Sequence, residues 1–316
     1  MKAFVTGGAG FIGSHLVDRL LEEGYEVTAY DNLTEGRIEN LAHLKNDRRF
    51  KFIKGDMRDA KLLMKEVKGH DVVFHMAAQA NIRKSLEDHY GDLQNNLLGH
   101  LNLLEAMLKN EVSDLVFAST SALYGEAEIR PTPETYAPIQ TSLYGASKLA
   151  CEAYTEAYTQ FSDINFWAYR FSNVVGERCR RGVIWDFVHK LWKNSKELEI
   201  LGNGKQSKEY IYVKDCVEGM IIGYKKAKKR VNIFNLAVED NKTVDEVADI
   251  VIREMNLKEV KRVYTGGERG WIGDNPIVHL DISRLKSLGW RPRFSAEEAI
   301  TTTARWTIES LKNNKN

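Results

Sequence analysis

The first 172 residues alternate short apolar segments with segments of helical periodicity. Six segments have the composition of β-strands: residues 2–6, 25–31, 50–56, 71–78, 114–120 and 164–172. Helical patterns lie between these strands at residues 14–23, 93–109 and 142–160, and two more follow late in the chain at residues 282–288 and 296–312. Several strands are apolar at nearly every position, as expected where both faces of a sheet are covered. The alternation therefore predicts an α/β fold, a doubly wound parallel sheet with helices on both faces.

The pattern of long alternating elements ends near residue 172, and shorter elements follow. We therefore expect a first domain of residues 1–172 and a smaller α/β domain of residues 173–316. No low-complexity linker marks the boundary. The region near residues 208–238, and in particular the apolar segment 232–238, is a candidate to return to the first sheet.

Charge and cysteine content exclude several classes of function. Lys and Arg number 45 against 44 Asp and Glu, so there is no overall electrostatic case for binding nucleic acid or a membrane surface. The three cysteines, Cys151, Cys179 and Cys216, are odd in number and widely spaced, which predicts neither a disulfide framework nor a metal site. The sequence shows no signal peptide and no apolar run long enough to span a membrane. We expect a cytoplasmic protein without a metal.

A glycine motif follows the first predicted strand. In TGGAGFIGSHL, Gly7, Gly10 and Gly13 stand three apart between that strand and a helix, where a pyrophosphate can approach the backbone. Asp31 follows 18 residues after Gly13, at the end of the second predicted strand, in position to accept hydrogen bonds from a ribose. Its charge would repel a 2′-phosphate, so NAD is favoured over NADP, although Arg37 leaves NADP open.

Further candidate cofactor contacts lie after the other predicted strands. Asp56, at the end of the third strand, is a candidate to meet the adenine amino group. The small side chains of Ala77 and Ala78, after the fourth strand, would let a dinucleotide lie against the backbone. The remaining candidates in these segments are Phe11, Ile12, Asn32, Met57, Gln79 and Phe171.

A second motif places Tyr144 and Lys148 four residues apart on a predicted helix, and therefore on one helical face. Tyrosine is a poor base at neutral pH, but a nearby ammonium and a positively charged nicotinamide favour its phenolate. In isolation such a pair is usually a surface pair. Here the helix comes next after the hydroxyl-bearing strand FASTSALYG, in a chain that also carries the glycine motif. The pair is therefore a candidate general base.

With these motifs the chain resembles the extended short-chain dehydrogenase/reductase family, specifically its nucleotide-sugar epimerases and dehydratases. The similar segments run in order along nearly the whole chain: TGGAGFIGSHL, YDNLTEGR, HMAAQA, NNLLGHLNLLEA, FASTSALYG, YGASK, RFSNVVGER, GNGKQSKEYIYVKD and LDISRLKSLGWRP. The resemblance implies a Rossmann domain that binds NAD, followed by a domain that binds the sugar nucleotide.

The resemblance also implies roles for individual residues. Tyr144 would be the base, Lys148 would tune it and bind the nicotinamide ribose, and Thr120 would bind the reacting oxygen of the substrate. Asn96 and Ser119 would support the cofactor pocket. Asn173 would lie beside the diphosphate of the sugar nucleotide, and the further candidate substrate contacts are Arg83 and Tyr210.

Two residues in the middle of FASTSALYG, Ser121 and Ala122, restrict the reactions that the resemblance allows. Relatives that dehydrate a sugar carry an Asp-Glu pair where this chain has Ser121 and Ala122, and decarboxylating relatives carry a Glu at the second place. Neither side chain here can perform carboxylate acid–base chemistry. The remaining reaction is oxidation and reduction at C4, which implies a 4-epimerase with tightly bound NAD that is regenerated in each turnover.

Substrate recognition departs from the family pattern at two positions. Lys208 stands where an arginine usually binds the diphosphate of UDP-sugars, and lysine lacks the bidentate fork. Trp271 occupies the place of a second such arginine, with Arg269 two residues earlier, while Asp274 matches a ribose contact. Val278 matches a residue that gates the sugar pocket, and its small side chain predicts acceptance of UDP-N-acetylglucosamine and UDP-N-acetylgalactosamine, as well as or instead of UDP-glucose and UDP-galactose.

Two alternatives remain open at this point. The basic segment RCRRG, residues 178–182, could bind an acidic sugar, which would make the protein a UDP-glucuronate 4-epimerase, although a solvated charge run is as consistent with it. A non-catalytic dinucleotide-binding sensor is the alternative from another class, and the joint presence of Tyr144, Lys148 and Thr120 argues against it. The family usually forms homodimers through the helices predicted here at residues 93–109 and 142–160.

Overall fold

A computed structural model describes residues 1–313. The strands are β1 Lys2–Thr6, β2 Glu26–Asp31, β3 Phe50–Lys54, β4 Val72–His75, β5 Asp114–Thr120, β6 Asn165–Phe171, β7 Asn173–Val175, β8 Glu197–Ile200, β9 Ser207–Tyr212, β10 Val231–Leu236, β11 Asn241–Thr243 and β12 Lys261–Tyr264. The α-helices are α1 Phe11–Glu22, α2 Ala60–Glu66, α3 Gly99–Lys109, α4 Leu143–Tyr158, α5 Val183–Lys193, α6 Val213–Lys226, α7 Val244–Glu254, α8 Ser283–Ser287 and α9 Ala296–Asn313.

Seven of the strands form a wholly parallel sheet in the order β10–β6–β5–β4–β1–β2–β3. The predicted doubly wound α/β fold is thereby confirmed. The strand order reverses between β1 and β4, and ligands of such sheets bind beyond the carboxyl ends of the strands at that reversal. The glycine motif, which follows β1, lies at this point.

Both faces of the sheet are buried against helices. On one face Phe4, Val73 and Phe117 pack in a cluster with side chains of α2, α3 and α4. On the other face Val5 and Phe74 pack in a larger cluster with side chains of α1 and α6. Alternate residues of the same strands therefore enter different cores, which explains why these strands are apolar at nearly every position.

The sheet takes its edge strand from a distant part of the chain. In β10, Val231 to Leu236 pair in parallel register with Phe166 to Phe171 of β6. The segment between them contributes α6, which packs on the sheet beside α1. The other strands form two small sheets, β11–β9–β7 and β12–β8, which are packed with α5, α7 and α9.

The element boundaries differ from the prediction in two ways. β3 and β4 are shorter than predicted, because the chain leaves the sheet at Lys54 and His75 and then crosses its carboxyl edge. The predicted helix 93–109 begins with a π-helical turn, Leu93–Leu98, before α3. Such turns are frequent at functional sites. Within residues 1–313, none of the helices combines the length and apolar character that a membrane crossing requires.

Candidate active site

A cavity of about 680 Å³ opens at the carboxyl edge of the large sheet, between it and the smaller sheets. Residues predicted to be catalytic, to bind the cofactor and to bind the substrate all contribute to its lining. The predicted cofactor contacts at its wall are Phe11, Ile12, Ser119, Tyr144 and Phe171. The predicted substrate contacts at its wall are Arg83, Thr120, Asn173, Lys208, Tyr210 and Asp274. The structure therefore brings together residues that are far apart in the sequence.

The glycine motif forms a turn in which side chains would not fit. Gly7 has φ of 65°, and a Cβ there would lie 2.7 Å from the backbone nitrogen of Ala77. A Cβ on Gly13 would lie 2.0 Å from the carbonyl oxygen of Gly7, which also accepts a hydrogen bond from the Gly10 N–H at 3.0 Å. The bare backbone at the start of α1 thus fits the pyrophosphate of a dinucleotide.

Asp31 ends β2 beside this turn and is buried. Its carboxylate accepts hydrogen bonds from the backbone N–H of Ala9 at 3.0 Å and of Leu33 at 2.8 Å. Burial raises the pKa of this carboxyl, and the backbone hydrogen bonds oppose that shift. A Cβ on Gly36 would lie 2.6 Å from both carboxylate oxygens, so the absence of a side chain leaves space beside them. The arrangement fits a carboxylate that accepts from ribose hydroxyls.

Asp56 lies two residues beyond β3, and protein groups already bind its carboxylate. Arg58 donates to it at 2.9 and 2.8 Å, and the Asn32 amide donates at 3.0 Å. Hydrogen bonding to Arg58 is the main cause that holds the pKa of Asp56 below its usual value. Both carboxylate oxygens of Asp56 therefore accept hydrogen bonds from Arg58 and Asn32. The sequence did not indicate these protein partners.

Asn96 lies on the π-helical turn and is 3% exposed. Its amide nitrogen lies within hydrogen-bond distance of Ser147 Oγ at 3.0 Å, Asp92 Oδ1 at 3.1 Å and the Gln79 carbonyl at 3.1 Å, and its oxygen accepts from the Gln79 N–H at 2.8 Å. This network ties the segment after β4, which includes Ala77 and Ala78, to α4. Nearby, the Met57 carbonyl accepts from Asn102 at 3.0 Å, which anchors the segment after β3.

The proposed base and its partners meet where β5 ends. Burial raises the pKa of the Tyr144 phenol, while the charge of Arg181 and a hydrogen bond with Thr120 act to lower it. Lys148 is buried, donates to the Ala118 carbonyl at 2.7 Å, and has its pKa lowered to about 8 by burial. A lysine with this pKa keeps most of its charge at pH 7 and loses it as the pH rises through about 8.

An ion pair beneath the site was not recognised in the sequence. Arg170 donates to Glu152 at 2.6 Å, and the two side chains are 6% and 2% exposed. Ser119 Oγ donates to the same Glu152, and Tyr124 OH lies 2.9 Å from Arg170 Nη1. Glu152 lies four residues after Lys148 on α4, so helical spacing was the available signal. The pair connects β5, β6 and α4 below the cavity.

One side of the cavity is built from side chains of two loops and of β9, which contact one another. The guanidinium carbon of Arg83 lies 4.6 Å from the ring centroid of Trp271, and Lys208 Nζ lies 5.2 Å from it. Lys208 forms an ion pair with Asp274, which also accepts from the Gly270 N–H at 3.0 Å. Both oxygens of Asp274 are therefore occupied by protein groups. Asn173 donates to the Glu209 carbonyl at 3.3 Å.

Two predicted substrate contacts lie outside the cavity lining. Val278 pairs through its backbone with Ser207 and Asn241 and packs against the larger core cluster, so its small side chain does not border the cavity. Arg269 forms an exposed ion pair with Glu126 at 2.6 Å. The local strand pairing and the ion pair keep these two side chains out of the cavity lining, and their roles in substrate binding stay predictions.

The three arginines of residues 178–182 have different surroundings. Arg178 pairs with Asp18 at 2.9 Å, and Arg180 lies over the ring of Trp306 at 5.7 Å. Arg181 lines the cavity and has no ion-pair partner among residues 1–313. Tyr144 also lines this cavity, and the charge of Arg181 acts to lower the pKa of its phenol.

Gln206 is a third residue, after Arg170 and Glu152, that sequence reasoning missed. It lines the cavity and is 3% exposed, and its amide donates to the Leu201 carbonyl at 3.1 Å. Its side-chain oxygen has no partner within residues 1–313. No group of three or more His, Cys, Asp or Glu side chains is placed to hold a metal in that part of the chain.

Known proteins resemble this chain over nearly its whole length. A putative UDP-glucose 4-epimerase of Methanocaldococcus jannaschii is 36% identical over 98% of each chain. The crystal structure of a UDP-galactose 4-epimerase is 36% identical, with a TM-score of 0.88 over 98% of this chain and 100% of that one. A UDP-N-acetylglucosamine 4-epimerase of Methanobrevibacter ruminantium is 31% identical, with a TM-score of 0.88 over 98% of each chain.

Other relatives act on other sugars. A UDP-glucuronate 4-epimerase of Thermodesulfobacterium geofontis is 30% identical over 98% of this chain and 96% of its own. The model of one family, described as the NAD dependent epimerase/dehydratase family, matches residues 3–237. With the parallel sheet, the glycine turn and the Tyr144–Lys148 helix in place, these similarities show that the chain belongs to the NAD dependent epimerase/dehydratase family.

Proposed function

We propose that this protein epimerises UDP-hexoses at C4 through a 4-keto intermediate, with NAD that stays bound between turnovers. The observation that carries the proposal is that Tyr144 and Thr120 line the cavity together, with Lys148 bound to the Ala118 carbonyl of β5 and no carboxylate at residues 121 and 122. We further propose that residues 1–172 with β10 bind NAD and that the remaining chain binds the sugar nucleotide.

The cofactor would be held by residues whose geometry fits it. Gly7, Gly10 and Gly13 would face the pyrophosphate, Asp31 the adenosine ribose, and Lys148 the nicotinamide ribose. Bound NAD would supply the hydride acceptor for C4 and the hydride donor to the opposite face of the 4-keto sugar. The remaining chemistry is proton movement by the protein.

Tyr144 would take the proton of the C4 hydroxyl as hydride leaves and return it when the ketone is reduced. Thr120, which lines the cavity beside it, would hydrogen-bond to the same substrate oxygen. The ammonium of Lys148 stabilises the phenolate by its charge. These three groups meet the requirements of general acid–base catalysis for a reversible oxidation at C4.

Elimination of water from the sugar needs an additional acid and base. The carboxylates that line the cavity are Glu35, Asp186 and Asp274. Asp186 pairs with Lys190 at 2.8 Å and Asp274 pairs with Lys208. None of them follows β5, where dehydrating relatives carry their pair. This supports epimerisation over dehydration.

The sugars proposed first are the glucose and N-acetylglucosamine series, which are supported by the names of the relatives. Val278 is not among the residues that line the cavity, so acceptance of an N-acetyl group through its small side chain stays a prediction. UDP-glucuronate is a second candidate, because Arg181 brings an unpaired guanidinium into the cavity near Tyr144. A guanidinium binds a carboxylate in bidentate fashion.

We also propose a homodimer formed through α3 and α4. The support is apolar surface on and beside these helices, since Leu98, Leu108, Tyr154 and Phe161 are between 38% and 67% exposed. Light scattering after size-exclusion chromatography measures the mass in solution. A mass of one chain at micromolar concentration would contradict this part of the proposal.

The test of the reaction is direct. Purified protein is incubated separately with UDP-glucose, UDP-N-acetylglucosamine and UDP-glucuronate without added NAD, and the products are resolved by chromatography. The 4-epimer of at least one substrate is expected, and which one forms identifies the sugar series. A 4-keto-6-deoxy product would contradict epimerisation, and no turnover of any substrate by NAD-loaded protein would favour the non-catalytic sensor.

A further inference from the structure

Arg83 and Trp271 belong to different parts of the fold and meet across the cavity. Arg83 follows β4 of the large sheet, and Trp271 lies in the loop between β12 and α8. Their side chains stack with 4.6 Å between the guanidinium carbon and the ring centroid. Such a contact is an electrostatic attraction between the cation and the face of the ring, and it strengthens as water is excluded.

The charges around this stack do not cancel. Lys208 is balanced by Asp274, whereas Arg83 has no acidic partner among residues 1–313. Both cations line the cavity and both lie near the same indole ring. A net positive charge therefore remains at this side of the cavity, and it attracts an anion.

The position of Trp271 makes the arrangement informative. It occupies the place where the resemblance predicts a second diphosphate-binding arginine, and Arg269, the nearest arginine in sequence, is paired with Glu126 outside the cavity. Arg83, from another loop, thus stacks on the indole ring that stands in place of the expected arginine. Stacking on an indole engages the face of a guanidinium and leaves its in-plane N–H donors free.

We propose that Arg83 binds the diphosphate of the sugar nucleotide and that Trp271 is the positioning residue that holds it there. This inference rests on the proposed function only in taking a nucleoside diphosphate as the substrate class. The planar fork of Arg83 offers two parallel donors to phosphate oxygens, and Lys208 adds a second, less directional cation. The large sheet thereby contributes to substrate binding as well as to cofactor binding.

The experiment measures binding without turnover. Isothermal titration calorimetry gives the Kd of UDP, UMP and uridine for the NAD-loaded protein and for Arg83→Gln, Arg83→Lys, Trp271→Ala and Trp271→Phe. Arg269→Gln is the matched arginine variant from the same loop as Trp271. Thermal melting and the amount of bound NAD show that each variant is folded.

Arg83→Gln is expected to weaken UDP binding tenfold or more, because a charge-assisted hydrogen bond to phosphate is lost, and to leave uridine binding within twofold. Trp271→Ala should weaken UDP binding by a smaller factor than Arg83→Gln does. Trp271→Phe should weaken it less than Trp271→Ala. The double variant Arg83→Gln/Trp271→Ala should bind UDP as weakly as Arg83→Gln alone. Arg83→Lys should fall between wild type and Arg83→Gln.

An unchanged UDP affinity in Arg83→Gln overturns the proposal, as does a loss of equal size for uridine. A tenfold loss of UDP affinity in Arg269→Gln, with no loss in Arg83→Gln, would show that Arg269 and not Arg83 binds the diphosphate. That result would also overturn the proposal. These outcomes are independent of the epimerisation assay. A protein that binds UDP through Arg83 but converts no sugar would contradict the proposed reaction and support this inference.

Discussion

The two sides of the cavity are built differently. On the side of the glycine turn, Ser119 lines the cavity, and Asp31 and Asn96 are buried outside its lining. Backbone or buried side-chain partners fix each of the three, which we call the cofactor wall. On the other side, Arg83, Arg181 and Trp271 extend from separate loops and Lys208 extends from β9; we call these four residues the substrate wall. The cofactor wall is held before a ligand arrives, whereas the substrate wall is arranged by contacts between long side chains. This difference predicts that mutations in the first affect stability and mutations in the second affect binding.

Tyr144 lies between the walls, and its removal has the largest expected effect. Tyr144→Phe should lower kcat by about a thousandfold, because a positioned general base typically contributes 10²–10⁴-fold. Bound NAD, measured by absorbance after denaturation, should remain. Tyr154→Phe, on an exposed part of the same helix, is the control and should keep full activity. Comparable activity in the two variants would show that another group is the base.

The ion pair below the cofactor wall should be the most costly group for stability. Glu152→Ala leaves Arg170 charged and buried, so the free energy of unfolding should fall by about 3–5 kcal/mol. Arg305→Ala breaks an ion pair in which the arginine is 66% exposed and should cost less than about 1 kcal/mol. Chemical denaturation measures both.

The contrast between the walls is tested in the same denaturation assay. Arg83→Gln, on the substrate wall, should leave the free energy of unfolding within about 1 kcal/mol of wild type. If it destabilised the protein as much as Glu152→Ala does, the distinction between the walls would be lost.

Asn96 tests the cofactor wall with a smaller effect. Asn96→Ala leaves buried partners without a hydrogen bond and should cost about 1–3 kcal/mol, with less NAD retained after purification. Asn102→Ala, three residues into α3, removes a single hydrogen bond to the Met57 carbonyl and is the matched control. Equal NAD retention by the two variants would mean that Asn96 does not organise the cofactor wall.

The pH dependence should give the smallest and most specific signal. Burial lowers the pKa of Lys148 to about 8, so the ammonium that stabilises the Tyr144 phenolate is lost as pH rises above 8. Turnover should fall severalfold between pH 8 and 9. Since an unfolded lysine holds its proton to higher pH, this group makes the fold more stable over the same range, and the loss is not unfolding. A turnover rate that does not change between pH 8 and pH 10 would contradict the assignment of this role to Lys148.

The fold and the cofactor wall were accessible to sequence reasoning because their signals are local. The spacing of Gly7, Gly10 and Gly13 and the apolar strands follow from backbone geometry and burial, which act over a few residues. The strand ends were overestimated because apolar residues continue past the last ladder hydrogen bond, as at Ala77 and Ala78.

The substrate wall could be predicted only in part. The residue types at 208 and 271 are visible in the sequence, but the stacking of Arg83 on Trp271 depends on loops that lie almost 190 positions apart. Val278 and Arg269 lie outside the cavity lining, because family spacing does not fix where a loop side chain points. Arg170 and Glu152 were missed because a buried ion pair has no signature in hydrophobic periodicity.

The position of β10 has a consequence for biosynthesis. While a ribosome has released only the first 172 residues, β6 is the last strand of the sheet, and its apolar segment NFWAYRF has an uncovered edge. Unpaired edges of this kind recruit other chains. The nascent protein therefore passes through an interval of more than sixty residues in which it depends on dilution or on chaperones, and the interval ends when Val231–Leu236 emerges and covers β6.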